Sequence, residues 1–232
     1  DVIGKIQCSY SSADEAVAAA LKARDAWAIS PWEKRKQLVL DFKEKISANS
    51  AAISELISRE VGKPRWESIL EVNSILARID ICIEEIEMRG SEFQIENPIL
   101  ERGNKNNSLG FCRVKPRGVA LVLSHFNSPA ENAMSYIVPA LLSGNSLIYK
   151  PSKKAPGVGQ LLTDCADLAG FPAGVFNMVQ GGREMAKRLA QHSDIDTIFF
   201  AGDFEFAKQI RRDSMEHNEK LLAFETGGKN PA

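Results

Sequence analysis

Residues 120–151, ALVLSHFNSPAENAMSYIVPALLSGNSLIYKP, decide the fold. Two short apolar runs, ALVL and SLIY, flank a long apolar segment that Pro129 opens and that Gly144 and Asn145 close. Runs this short and this apolar predict strands buried on both faces, and the segment between them predicts a helical crossover. Each run ends on a polar residue, Asn127 in SHFNSP and Lys150 in YKPSKK. Packing alone gives no reason to put an amide and an ammonium there. Ligands bind beyond the carboxyl ends of strands in open parallel sheets, which does give one.

The pattern continues downstream. The predicted strands are GVALVLS, NSLIYK, VFNMVQ, DTIFF and KLLAFE, from Gly118 onward. Between them lie PAENAMSYIVPALLSG, read as interrupted at Pro139, then APGVGQLLTDCADLAG, GREMAKRLAQHS and DFEFAKQIRRDSMEHN. This alternation predicts an α/β fold: a parallel, Rossmann-like open sheet with helices on both faces and right-handed crossovers.

The segment 1–89 reads as helices that pack on that core. SADE at 12–15 fits a capping box, and SPWE at 30–33 puts Pro31 at a first helical position. A third helix stops at Gly62 before Pro64. A fourth, from Trp66 to about Ile86, sets Ile69, Val72, Leu76, Ile79, Ile83 and Ile86 on one stripe. Residues 90–117 turn polar and then enter SLGFCRVKPRG, a hairpin arm that serves either oligomerisation or as a plain surface hairpin.

Composition narrows the function classes. Lys plus Arg (29) balance Asp plus Glu (30), which argues against a nucleic-acid partner. No apolar run reaches the roughly 18 residues of a membrane span, and the first residues lack the pattern of a signal peptide. Cys8, Cys82, Cys112 and Cys165 show no paired spacing and there are three histidines, so no metal site is expected. Free thiols suit a reducing cytoplasm.

The loops after the strands carry a resemblance. FNSP at 126–129, PALLSGN at 139–145, KPS at 150–152, AGFPAGVFNMVQG at 169–181 and ETGGKNP at 225–231 resemble, in order, the motifs of the aldehyde dehydrogenase superfamily. REVGKPRWES at 59–68 extends the match, and with VQGGRE at 179–184 it most resembles the succinylglutamate semialdehyde dehydrogenases of arginine breakdown. The resemblance implies oxidation of a semialdehyde with NAD or NADP. It makes Asn127 the oxyanion donor and Glu225, expected to be buried behind LLAF, the general base. It makes Lys150, Ser152, Lys153, Gly202 and Asp203 the cofactor contacts.

Departures qualify that picture. FAGD at 200–203 replaces the family's usual FTGS, so Asp203 presents a carboxylate where a phosphate is expected, unless it simply caps its helix. Ala207 replaces a glycine in the same helix. Lys153 stands where an acid often binds the ribose, which favours NADP unless the side chain points to solvent. The family's nucleophilic cysteine lies downstream of ETGGKNP and has no counterpart here, so the expectation is the N-terminal part of such an enzyme, inactive alone. A non-catalytic nucleotide-binding module and an interaction protein are the alternatives. His125 is read as structural or as lining the pocket.

Overall fold

The computed structural model describes residues 8–90, 93–95, 110–112 and 114–227, the side chains of 90, 93–95 and 110–112 excepted. Four helices come first: α1 (Ser11–Ala28), α2 (Trp32–Ala48), α3 (Ser50–Val61) and α4 (Arg65–Gly90). A small antiparallel pair follows, β1 (Phe93–Ile95) with β2 (Gly110–Cys112), within the stretch read as an arm. The rest of the arm between the two strands lies outside the described residues.

The remaining elements alternate: β3 (Val119–Leu123), α5 (Pro129–Leu142), β4 (Ser146–Lys150), α6 (Pro156–Leu168), β5 (Phe176–Met178), α7 (Arg183–Gln191), β6 (Thr197–Gly202), α8 (Phe204–Asp213) and β7 (Leu221–Thr226). The five strands from β3 to β7 form one sheet in the order β5-β4-β3-β6-β7, and every pair is parallel. The α/β reading of the sequence holds.

Alternation along the strands feeds two cores. Ala120, Val122, Leu147 and Tyr149 face α5, α6 and the helices α2, α3 and α4. Leu121, Leu123, Ile148, Ile198 and Phe200 face α1, α7 and α8. Both faces are therefore covered, as continuous apolar strands require.

Local details depart from the expectations. Ser12 does not cap: α1 starts at Ser11, and the Ser12 and Ala13 amides find the carbonyls of Ser9 and Tyr10, so the backbone turn does the work of the box. Pro31 is the N-cap of α2, its ψ of 144° being extended rather than helical. Pro139 does not interrupt α5, which runs on to Leu142 with nearly every residue buried; packing outweighs the one missing amide. In α4, Ile69 is exposed while Ile75 joins the core beside Val72, Ile79 and Ile83. The stop of α3 is as expected, with Gly62 in the left-handed region at φ 77°.

Candidate active site

Strands β3, β4 and β5 step outward in one direction and β6 and β7 in the other. The order reverses between β3 and β6, and the carboxyl ends of those strands are where open parallel sheets form their binding crevice. The loop 124–128 enters it from β3, Gly202 and Asp203 from β6, and Glu225 from the end of β7. Lys150 ends β4 on the neighbouring side.

Asn127 is exposed on a loop that is held from two directions. Its backbone N–H donates to Nδ1 of His125 at 2.9 Å. The helix behind it, α5, receives no side-chain cap from its own N-cap Ser128. Instead Glu71 of α4, only 4% exposed, accepts from the Ala130 and Glu131 amides at 2.9 and 3.2 Å. The other oxygen of Glu71 meets Lys63 Nζ at 2.6 Å, and Lys63 also donates to Ser128 Oγ at 3.2 Å. A carboxylate at a helix start answers both the orphan amides and the dipole. Phe126 lies beneath Lys154, whose Nζ stands 4.1 Å from the ring centroid.

Glu225 is exposed, which corrects its expected burial. The cause is topological: β7 is the edge of the sheet, paired with β6 alone among the described strands. Glu225 pairs with Ala201 and Ala223 with Phe199, so the four share a face. Tyr136 of α5 stacks on Phe199 at 5.2 Å on that face. Its hydroxyl and Asn132 Oδ1, one helical turn apart, are both buried. Burial pushes the Tyr136 phenol up, and the nearby Glu225 carboxylate pushes it further. Burial also lowers His125, and the largest opposing influence on it is again Glu225. Glu225 thus acts on the loop that carries Asn127.

Lys150 is 6% exposed. Its ammonium donates to the carbonyls of Pro151 and Gly181, both at 2.8 Å. Burial brings its pKa down to about 8; Cys8 nearby resists the shift and Lys153 adds to it. Ser152 accepts from the Lys154 amide at 3.3 Å, which closes the turn after β4, and Lys153 is exposed beside it.

Gly202 is the last residue of β6, and a Cβ there would come within 2.9 Å of the Phe200 ring. Asp203 is the N-cap of α8 and accepts from the Phe206 amide at 2.9 Å. Its carboxylate also faces Arg183 of α7 at 3.3 Å, and the Arg183 guanidinium lies 4.7 Å over the Phe206 ring. The opposing charge foreseen at Asp203 therefore has a counterion. Ala207 is buried in α8 and Phe204 is exposed.

This donor set fits an anionic dinucleotide. Lys150, Lys153 and Arg183 place positive charge along one end of the crevice, and α7 and α8 begin at the same edge with their amides towards it. Asp203 is an element of misfit, because it takes an α8 amide that a phosphate would use and holds Arg183 as well. Two of the cysteines are part of helix packing: burial raises both the Cys165 and the Cys82 thiols, in α6 and α4. Among the described residues no group of three or more metal-ligating side chains comes together, and no helix is long and apolar enough to cross a membrane. Gly228 to Pro231 of the glutamate motif lie outside the described residues.

Sequence reasoning missed Glu71, Tyr136 and Arg183. Arg183 carried a signal, as a cation at the first helical position after Gly-Gly. Glu71 carried none, because the amides it caps lie 59 and 60 residues away.

The aldehyde dehydrogenase family matches residues 1–232. The N-succinylglutamate 5-semialdehyde dehydrogenase of Salmonella agona is 37% identical over 217 residues, 94% of this chain and 42% of that protein. The same enzyme of an Enterobacter species is 36% identical over 223 residues, 96% of this chain and 43% of that protein. The chain thus spans less than half the length of these relatives. Among solved structures, an NADP-dependent glyceraldehyde-3-phosphate dehydrogenase from Bacillus halodurans, complexed with NADP, superposes with a TM-score of 0.89 at 28% identity, over 99% of this chain and 48% of that one. An indole-3-acetaldehyde dehydrogenase of P. syringae, in complex with NAD+, gives 0.90 at 29%, over 100% and 46%. Sequence, sheet order and the residues at the strand ends agree: this chain belongs to the aldehyde dehydrogenase family.

Proposed function

We propose that this chain is the dinucleotide-binding part of an NAD- or NADP-dependent aldehyde dehydrogenase that converts a semialdehyde into a carboxylate. N-succinylglutamate semialdehyde is the substrate that the relatives' names favour. The observation that carries the reading is convergence: Asn127 and Glu225 come from the ends of different strands at the same edge of the sheet.

Lys150, Ser152, Lys153 and Arg183 would hold the adenosine end of the dinucleotide, with Gly202 letting the chain pass close by. When bound, the nicotinamide supplies the oxidant. The chain's own residues supply electrostatics and proton transfer. The Asn127 side-chain amide would donate to the oxyanion that forms when a thiolate attacks the aldehyde carbonyl, a contribution of about 3 kcal/mol where such donors are removed. Glu225 would take the proton of the water that releases the acid. Its exposure at the sheet edge leaves it accessible to a further part of the enzyme, from which the attacking thiolate would come. The arm at 90–117 is read as an oligomerisation element, and cross-linking of the chain tests that separately.

The test of function joins this chain to the remaining part that its relatives carry and measures aldehyde-dependent reduction of NAD and NADP. Turnover that falls at least a hundredfold in both Asn127→Ala and Glu225→Gln supports the reading. Turnover indifferent to both contradicts it. Absence of turnover in a folded, joined enzyme over a panel of semialdehydes favours the non-catalytic nucleotide-binding module.

A further inference from the structure

His125 occupies the loop between β3 and α5, half-buried, and its Nδ1 accepts the backbone N–H of Asn127 at 2.9 Å. An imidazole nitrogen accepts a hydrogen bond only while it carries no proton. The bond therefore exists for the neutral ring with its proton on Nε2 and is lost in the imidazolium, where Nδ1 becomes a donor facing another donor. Asn127 itself is exposed, and its neighbours in the loop are held separately, Phe126 under Lys154 and Ser128 by Lys63.

The same two-residue geometry occurs once more. The Asp194 amide donates to Nδ1 of His192 at 3.2 Å, at the end of α7. There the Asp194 carboxylate stands 3.9 Å from the same nitrogen, ready to accept from it when it is protonated. At His125 the corresponding residue is the uncharged Asn127, so the loop offers the imidazolium no such partner. The charged groups that face His125 are Glu225 from β7, Glu71 from α4 and Lys63 from the turn before α4. Of these, Glu71 is engaged by Lys63 and by the start of α5. Burial outweighs the two carboxylates and holds the ring below its ordinary value of 6.5.

We propose that His125 is a positioning residue for Asn127: the neutral imidazole fixes the backbone of the oxyanion donor, and a proton taken from solvent onto Nδ1 releases it. The site then loses its donor geometry on mild acidification while the fold persists. The proposal rests on the reading of Asn127 as that donor.

The test is a nuclear magnetic resonance titration of the chain, 15N-labelled, from pH 8 to pH 5. The Asn127 backbone amide is followed beside the His125 ring protons, with the Val179 amide, which donates to the Tyr149 carbonyl, as internal control. The expected result is one transition shared by Asn127 and His125, with a midpoint below 6.5, together with a several-fold loss of Asn127 amide protection. His125→Ala removes the transition and leaves Asn127 in its low-pH position. His125→Asn, whose side-chain oxygen accepts the same bond without titrating, restores the high-pH position throughout. A flat Asn127 resonance while His125 titrates overturns the proposal, and so does a His125→Ala spectrum that matches wild type at pH 8. The wild-type titration needs no variant to fold. Activity of the joined enzyme separates the two claims: a rate that requires Asn127 yet ignores His125→Ala between pH 5 and 8 overturns the positioning role alone, whereas a rate indifferent to Asn127→Ala overturns the functional reading beneath it.

Discussion

Lys150 is the residue whose surroundings say most. An ammonium 6% exposed that, among the described residues, donates to two carbonyls and to no carboxylate has surrendered water, and its lowered pKa records that cost. The unfolded chain binds a proton at this lysine up to about pH 10.4, whereas the folded chain releases it near 8. Between those values the unfolded state holds more protons, so stability rises with pH through that window, by up to about 3 kcal/mol. Urea unfolding at pH 7.5 and pH 10 checks the sign, and Lys150→Met should abolish the Lys150 component of the slope. Asp203 supplies a second prediction. Serine also caps helices, so Asp203→Ser should change stability by less than about 1 kcal/mol. Removing an exposed carboxylate from the path of a phosphate should tighten dinucleotide binding by up to about fivefold, roughly 1 kcal/mol. Calorimetric titration of both proteins measures it.

At the scale of elements, α3 and α4 set the crevice loops. Glu71 caps α5, and Glu60 of α3 does the same for α6, accepting from the Gly157 and Val158 amides at 2.8 and 2.9 Å. Two helices of the sheet layer thus begin on carboxylates supplied by the helical segment. Glu71→Ala orphans two amides and leaves Lys63 with the more distant Glu67, 4.0 Å away, so a loss of about 3 kcal/mol is expected. Glu60→Ala removes a half-buried cap and should cost about 1–2 kcal/mol. Denaturant midpoints of the two variants should therefore rank with Glu71→Ala the lower. The sequence displayed REVGKPRWES as a recognisable stretch but not its task. A cap whose partner sits 59 or 97 residues away leaves no local pattern, whereas Gly62, which ends α3 within the same stretch, is legible from its neighbours alone. The misjudged start of α1 has a similar origin: two registers satisfy SSADE, and backbone contacts with Ser9 and Tyr10 choose between them.

For the whole molecule, the fold was legible because both faces of the sheet are covered, which turns each strand into an apolar run with its loop residues at a readable end. Lys150 and Gly202 end their strands and Asn127 lies in the loop after β3, where that rule looks for ligand contacts. The burial of Glu225 was misjudged because LLAF looks like any internal strand; only the sheet order reveals that β7 is at the edge. The same order makes the central claim testable, since it brings the proposed cofactor contacts to the carboxyl ends of β4 and β6, on the two sides of the switch point. The direct measurement is thermal unfolding of the chain with NAD, with NADP and with neither, in parallel with Lys150→Met. A ligand present at a hundred times its dissociation constant stabilises by about 2.7 kcal/mol, which is readily seen as a shift in Tm. A working half-site predicts a shift with at least one dinucleotide that disappears in Lys150→Met. A folded chain whose Tm ignores millimolar NAD and NADP, in wild type and in Asp203→Ser alike, would contradict the account.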